Sequence, residues 1–143
     1  MTENGWRTLR LSEATALDGP DDGGPDGWLP LRHELGVEAF GINAWVAREP
    51  GAEVIEEHDE INEDPAENHQ ELYAVVEGHA TFTVDGQELD APAGTLVFIK
   101  DPSLVRRAVA RSAGTTVLAI GAPAGRAFTP SPWEQRRLEA AGV

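Results

Sequence analysis

The stretch from Glu71 to Pro102, "ELYAVVEGHATFTVDGQELDAPAGTLVFIKDP", sets the reading of the whole chain. Within it, Ala80, Phe82 and Val84 alternate with His79, Thr81 and Thr83, giving one apolar and one more polar face, the period of a half-buried strand. Asp85-Gly86 tolerates the positive φ angles of a tight primed turn, and Glu77-Gly78 separates two strand patterns, so both predict hairpins. Working outward, "FGINAWVARE" (40–49), "AEVIEEH" (52–58), "HQELYAVVEG" (69–78), "QELDA", "TLVFIK", "VRRAVAR" and "TTVLAIGA" are short, β-branched or aromatic, and bounded by turn residues. Many short strands with no long helices between them predict an all-β antiparallel barrel or jelly roll and exclude a parallel α/β fold.

The flanks differ. Residues 18–27, "DGPDDGGPDG", form a Gly, Pro and Asp cluster expected to be a mobile loop, and "WLPLRHELG" predicts a short helix ended by Gly36. Near the C-terminus, "SPWEQRRLEAAG" offers Ser131 as N-cap, Pro132 at the first helical position, Glu134 at the third and Gly142 as the stop. The expected organisation is an arm over 1–36, a barrel over 37–122 and a tail with a helix over 123–143. Trp6, Trp28, Trp45 and Trp133 are candidates to anchor the terminal segments or to pack in the core.

Composition narrows the function classes. The 143 residues suit one domain, with 41% hydrophobic and 25% charged residues. No cysteine is present, which removes disulfides, thiolate nucleophiles and thiolate metal ligands, leaving His and carboxylates for any metal. A net charge of −14 and the lack of a basic run argue against nucleic acid. No apolar run reaches membrane-span length and no secretory signal is evident, so a cytoplasmic protein is expected. Nine acidic residues fall between Glu53 and Glu71, but Pro65 stands where a calcium loop needs glycine, so this reads as a solvated acidic loop. His33 and His79 read as surface residues, and no serine has a nucleophile-elbow setting.

The run from Glu71 to Gly78, with six residues between the two, and Gly94 followed by "TLVFI" and "KDP" match two motifs of one family. From Val37 to Ala122 the chain resembles the cupin superfamily. That resemblance implies an antiparallel β-barrel, a tendency to pair as homodimers through barrel edges, and, in metal-binding members, three histidines and one glutamate around a divalent Fe, Mn, Ni, Cu or Zn. The chain departs from the pattern. The paired histidines expected just before Glu71 are replaced by Asp64, Pro65, Ala66 and Glu67, with His58 and His69 nearby. Where the third histidine belongs stand Arg106 and Arg107, and a guanidinium has no lone pair for a metal.

Several roles follow for these residues. His69, Glu71 and Tyr73 share a strand face, and His58 ends the preceding strand, so His58, His69 and Glu71 could converge on a metal. Arg106 and Arg107 point to opposite faces, so only one enters the barrel, where it could pair with Glu71 or grip the carboxylate of a small ligand. Glu71, Tyr73, Arg106 and Arg107 are therefore the candidate ligand-binding set. The favoured expectation is a barrel that binds a small molecule, carboxylated ones included, at a degenerate metal site. A metal-dependent oxygenase or isomerase and a ligand-free assembly module are the alternatives.

Overall fold

The computed structural model describes residues 5–17 and 26–143. All eight strands read from the sequence are present, preceded by a short β1 (Trp28–Leu29) and the helix α1 (Leu31–Leu35). They are β2 (Gly41–Val46), β3 (Glu53–His58), β4 (His69–Glu77), β5 (His79–Val84), β6 (Gln87–Pro92), β7 (Leu96–Ile99), β8 (Arg106–Ala110) and β9 (Thr116–Pro123). A second helix, α2 (Pro132–Ala140), ends the chain. Pairing is antiparallel throughout, in two sheets of order β1-β2-β9-β4-β7 and β3-β8-β5-β6. The sheets face each other as a jelly roll, and their inward positions, Tyr73, Val75, Phe82, Ile99, Ala108 and Val117 among them, make the main core. No helix among the described residues is long and apolar enough to cross a membrane.

The two turn signals separate. Asp85 and Gly86 both have positive φ, 50° and 77°, and close the β5–β6 hairpin with Val84 opposite Gln87. Glu77-Gly78 does not make a hairpin, which corrects the sequence expectation: β4 and β5 lie in different sheets, and Gly78 is the corner between them. Gly78 has φ +76°, and a Cβ there would stand 2.4 Å from the Thr115 hydroxyl oxygen, so the corner demands glycine both for its backbone and for its close approach to Thr115, just ahead of β9.

The terminal segments are packed. Leu9, Leu11 and Ala14 of the arm, with Leu29, Leu31 and Leu35, cover the outer face of the five-stranded sheet at Ile42, Ala44, Val46 and Leu118. The loop expected over 18–27 lies, apart from Asp26 and Gly27, outside the described residues. α1 ends as expected at Gly36 in the left-handed region. α2 starts at Pro132, yet Ser131 makes no side-chain cap; instead Glu134 turns to Arg32, with Nε donating to Oε2 at 2.8 Å. A guanidinium from another segment competes successfully for the carboxylate that a capping box would have used. Trp6 is exposed, whereas Trp28, Trp45 and Trp133 form one aromatic cluster.

Candidate functional site

β8 settles which arginine is inside. Along it, Arg106, Ala108 and Ala110 are buried, while Arg107 points out and donates from Nε to Glu53 at 2.8 Å. Arg106 is 0% exposed. Its Nη1 donates to Glu71 Oε1 at 2.9 Å and its Nε to the Leu104 carbonyl at 3.0 Å. Pairing places His58 directly opposite Arg106 across β3 and β8, after a register irregularity in β3 that follows Ile55. Glu71 comes from β4 in the other sheet, two residues from Tyr73, whose hydroxyl donates to the same Oε1. His58, Arg106, Glu71 and Tyr73 thus meet across the barrel, and Glu60 joins them from the loop after β3, 3.1 Å from His58 Nε2.

The charges organise one another. Both ring nitrogens of His58 face oxygens: Nδ1 the Glu56 carbonyl at 2.6 Å, and Nε2 the carboxylates of Glu60 and, at 3.7 Å, Glu71. Only the doubly protonated imidazolium satisfies acceptors on both sides. Burial alone would lower the His58 pKa, but the hydrogen bonds to Glu60, Glu71 and the Glu56 carbonyl, with the Glu71 charge, outweigh it and raise the pKa to about 10. Burial likewise opposes ionisation of Glu71; its bonds from His58 and Tyr73 and the charges of His58 and Arg106 prevail and hold its pKa below the usual carboxylate value. Burial first, and then the Glu71 charge, push Tyr73 well above the ordinary phenol value. At neutral pH the cluster is a carboxylate bracketed by two cations and a phenol donor.

Beside it opens a cavity of about 260 Å³. Glu71, Tyr73, His58 and Glu60 form its polar side; Trp45, Ile55, Ala119 and Trp133 form its apolar side, and Asn43, Glu56 and Arg137 complete the lining. Asn43 and Trp45 share the inward face of β2, while Trp133 and Arg137 are one helical turn apart on α2. The Trp45 and Trp133 rings are 27° from parallel with centroids 6.5 Å apart. The Arg137 guanidinium lies over Trp45 and Trp28, 5.3 and 5.7 Å from the ring centres. A smaller hollow of about 60 Å³ adjoins, bounded by Asn43, Glu60, Glu71, Gly121, His69 and Phe128 among others.

Of the residues singled out from the sequence, His58, Glu71, Tyr73 and Arg106 come together. His69 stands apart from the His58 cluster: its ring packs edge-on against Phe128, with centroids 5.9 Å apart, and it lines only the smaller hollow. Arg107 lies on the outer surface. Glu60, Asn43 and Arg137 were missed. Period two along "GINAWV" could have aligned Asn43 with Trp45, but nothing local signals Glu60 in an acidic loop or Arg137 in a distant helix. His79, read as a surface residue, is partly exposed there and meets Asp90 of the neighbouring β6 at 2.5 Å.

The metal centre that the resemblance implies can be tested against these atoms. His58, Glu60 and Glu71 each offer a ligand atom, all within 4.8 Å of one another. The set holds one histidine rather than three, and its Nε2 is turned into carboxylate oxygens as a donor. Arg106 stands where a third histidine would, already bonded to Glu71 Oε1 together with Tyr73. A divalent ion at that oxygen would be set against a buried guanidinium that cannot lose its proton. The residues do not fit a three-histidine, one-glutamate centre.

No family model matches the chain, and no curated protein matches it. Solved structures do. A sugar phosphate isomerase from a cupin superfamily, from Silicibacter pomeroyi, superposes with a TM-score of 0.63 at 23% identity, over 81% of this chain and 75% of that one. An uncharacterised protein with a double-stranded β-helix domain from Klebsiella pneumoniae gives 0.61 at 20% identity, over 92% and 96%. A cupin protein from Bacteroides fragilis gives 0.56 at 19% identity, over 89% and 92%. The fold is therefore the cupin fold, as the motifs around Glu71 and Gly94 implied. Identities this low carry the architecture and leave the activity to be argued from the site.

Proposed function

We propose that this cupin barrel binds a small molecule in the cavity between the Trp45–Trp133 wall and the Glu71 cluster. The observation that carries the reading is that cavity itself: a half-open cleft with one aromatic wall and one side of fixed, hydrogen-bonded charges. Glu71 and Tyr73 line it directly. Arg106 acts from behind, holding Glu71 in place, and Arg107 is on the outside, so a ligand carboxylate has no arginine from β8 to meet. A thermal-shift screen tests the reading. A bound compound raises the midpoint of wild type and fails to do so for Ala119→Phe, which fills the cavity. Equal shifts in both proteins would place the ligand elsewhere, and no shift with any compound would favour the assembly-module alternative.

The metal-dependent enzyme is weighed on the same protein. Metal analysis after purification without chelator should find no stoichiometric Fe, Mn, Ni, Cu or Zn, because Arg106 holds the position. Stoichiometric metal that is lost in Glu71→Ala would reinstate that alternative. We propose the cytoplasm as the compartment, supported by a fold that closes without any disulfide. We also propose a homodimer, supported by the exposed apolar face of edge strand β7.

A further inference from the structure

The docking of α2 rests largely on charge. Its buried side chains are Glu134, Arg137 and Leu138, whereas a helix fixed permanently to a core presents a stripe of apolar residues. Glu134 meets Arg32 of α1, which is itself held through Nη1 on the Val37 carbonyl at 3.3 Å. Trp133 and Arg137 lie against the indoles of Trp28 and Trp45. Among the described residues no backbone hydrogen bond joins α2 to the barrel; those outside its own ladder stay between residues 131 and 143.

The chain leading to α2 is tied down as lightly. The β4–β9 ladder closes with His69 opposite Pro123, and among the described residues the backbone of 124–131 makes no bond to the barrel. Gly125 turns there with φ +75° and open space around it. Phe128 rests on Gly41 and edge-on against His69. Arg126 reaches Asp64 and Glu67 at 3.5 and 3.1 Å, but solvent-facing pairs of this kind hold little.

Buried charges make such docking reversible. Arg32 and Glu134 lose hydration when the helix closes and regain it when the helix lifts, so their pair aligns α2 more than it fastens it. The Arg137 guanidinium likewise exchanges water for indole faces. Trp133 lines both the cavity and the adjoining hollow, so lifting α2 joins the two and opens them to solvent.

We propose that α2 is a lid over the cavity, swinging on residues 124–131 and latched by the Arg32–Glu134 pair. Closed, it supplies the Trp133 wall; open, it clears the way past Trp45 to Glu71. This rests on the small-molecule reading above for its purpose and adds how that site is entered.

Hydrogen exchange and thiol labelling of the full chain test the lid. The backbone amides of residues 136–141 should exchange together, about a hundredfold or more faster than those of β4 and β9, at a rate that low urea leaves unchanged. Glu134→Gln keeps the shape and removes the charge, so it should speed α2 about tenfold or more with β4 and β9 unaltered. Protection equal to that of β4 overturns the lid. So does a rate graded from Val143 inward, which is a fraying end. The chain has no cysteine, and Ala119→Cys places a single thiol in the cavity wall. N-ethylmaleimide should label it about tenfold faster once Glu134→Gln is added. A labelling rate that Glu134→Gln leaves unchanged would mean that α2 moves without uncovering the cavity, and also overturns the lid. No ligand enters either measurement, so a failed lid leaves the small-molecule reading to the thermal-shift screen, and a screen without a hit counts against that reading alone.

Discussion

Arg106 and Glu71 reach each other from opposite sheets, Nη1 to Oε1 at 2.9 Å, with the arginine wholly buried and the glutamate partly so. The pair joins β8 to β4 across the barrel, so the two sheets are tied where the core gives way to the cavity. Removing one partner leaves the other charge desolvated, which costs more than the pair contributes. Arg106→Leu should therefore destabilise the protein by about 3–5 kcal/mol in urea unfolding. Adding Glu71→Leu should then cost less than it does alone, giving a coupling energy of about 1 kcal/mol or more in a double-mutant cycle. Strict additivity would mean that the two charges do not depend on each other.

The same cluster fixes the pH profile. His58 is raised from 6.5 to about 10, so the folded state keeps a proton that the unfolded chain releases. That stability is complete below pH 6.5 and is lost as the pH rises towards 10. Glu71 is lowered from 4.5, so its contribution is present above that pH and disappears as the folded carboxylate is protonated in acid. The melting midpoint should be highest between about pH 4.5 and 6.5 and fall on the alkaline side. His58→Gln should flatten the alkaline fall and, because His58 also holds the Glu71 carboxyl down, weaken the acid limb and move it to higher pH. An unchanged alkaline slope would assign the loss to another group.

What could be read from the sequence was local. Period-two alternation found every long strand, and the same rule showed that Arg106 and Arg107 must part company at the barrel wall. It could not say which of them entered, because that depends on the register of β8 against β3 and β5, set by contacts far away in sequence. Glu77-Gly78 and Asp85-Gly86 carry equal turn signals, yet one is a corner and the other a hairpin, since positive φ reports that the chain turns and not which strand it rejoins. The site fared likewise. His58, Glu71 and Tyr73 lie on strands whose faces were legible, whereas Glu60, Asn43 and Arg137 reach the cavity only through tertiary folding.

Gly78 tests the corner. Alanine there meets a positive φ and the Thr115 side chain and backbone at 2.4–3.0 Å. Thr115 is fully buried, with its hydroxyl bonded to the His79 and Ser112 carbonyls, so it has little room to yield. Gly78→Ala should cost about 2–4 kcal/mol, more than the roughly 1 kcal/mol of φ strain alone. Gly86→Ala, at a similar φ with open space around it, should cost only the strain. Equal losses at the two sites would remove the steric part of the argument.

The edge of the five-stranded sheet bears on assembly. β7 is its last strand, and Leu96 and Phe98 project outward at 66% and 58% exposure, beside the partly exposed Val76. An unpaired edge carrying large apolar side chains invites association. The opposite edge differs, because the arm and α1 already cover the outer face of β2. Within the five-stranded sheet the uncovered apolar edge is thus the one at β7, which suits a closed two-fold pair rather than an open chain of subunits. Light scattering after size exclusion should give a dimer for wild type and a monomer for Leu96→Glu/Phe98→Glu. Both substitutions lie on solvent-facing positions, so the monomer should keep its melting transition within a few degrees once corrected for the lost interface. A wild type that stays monomeric across the micromolar range would leave the β7 face without the partner proposed for it.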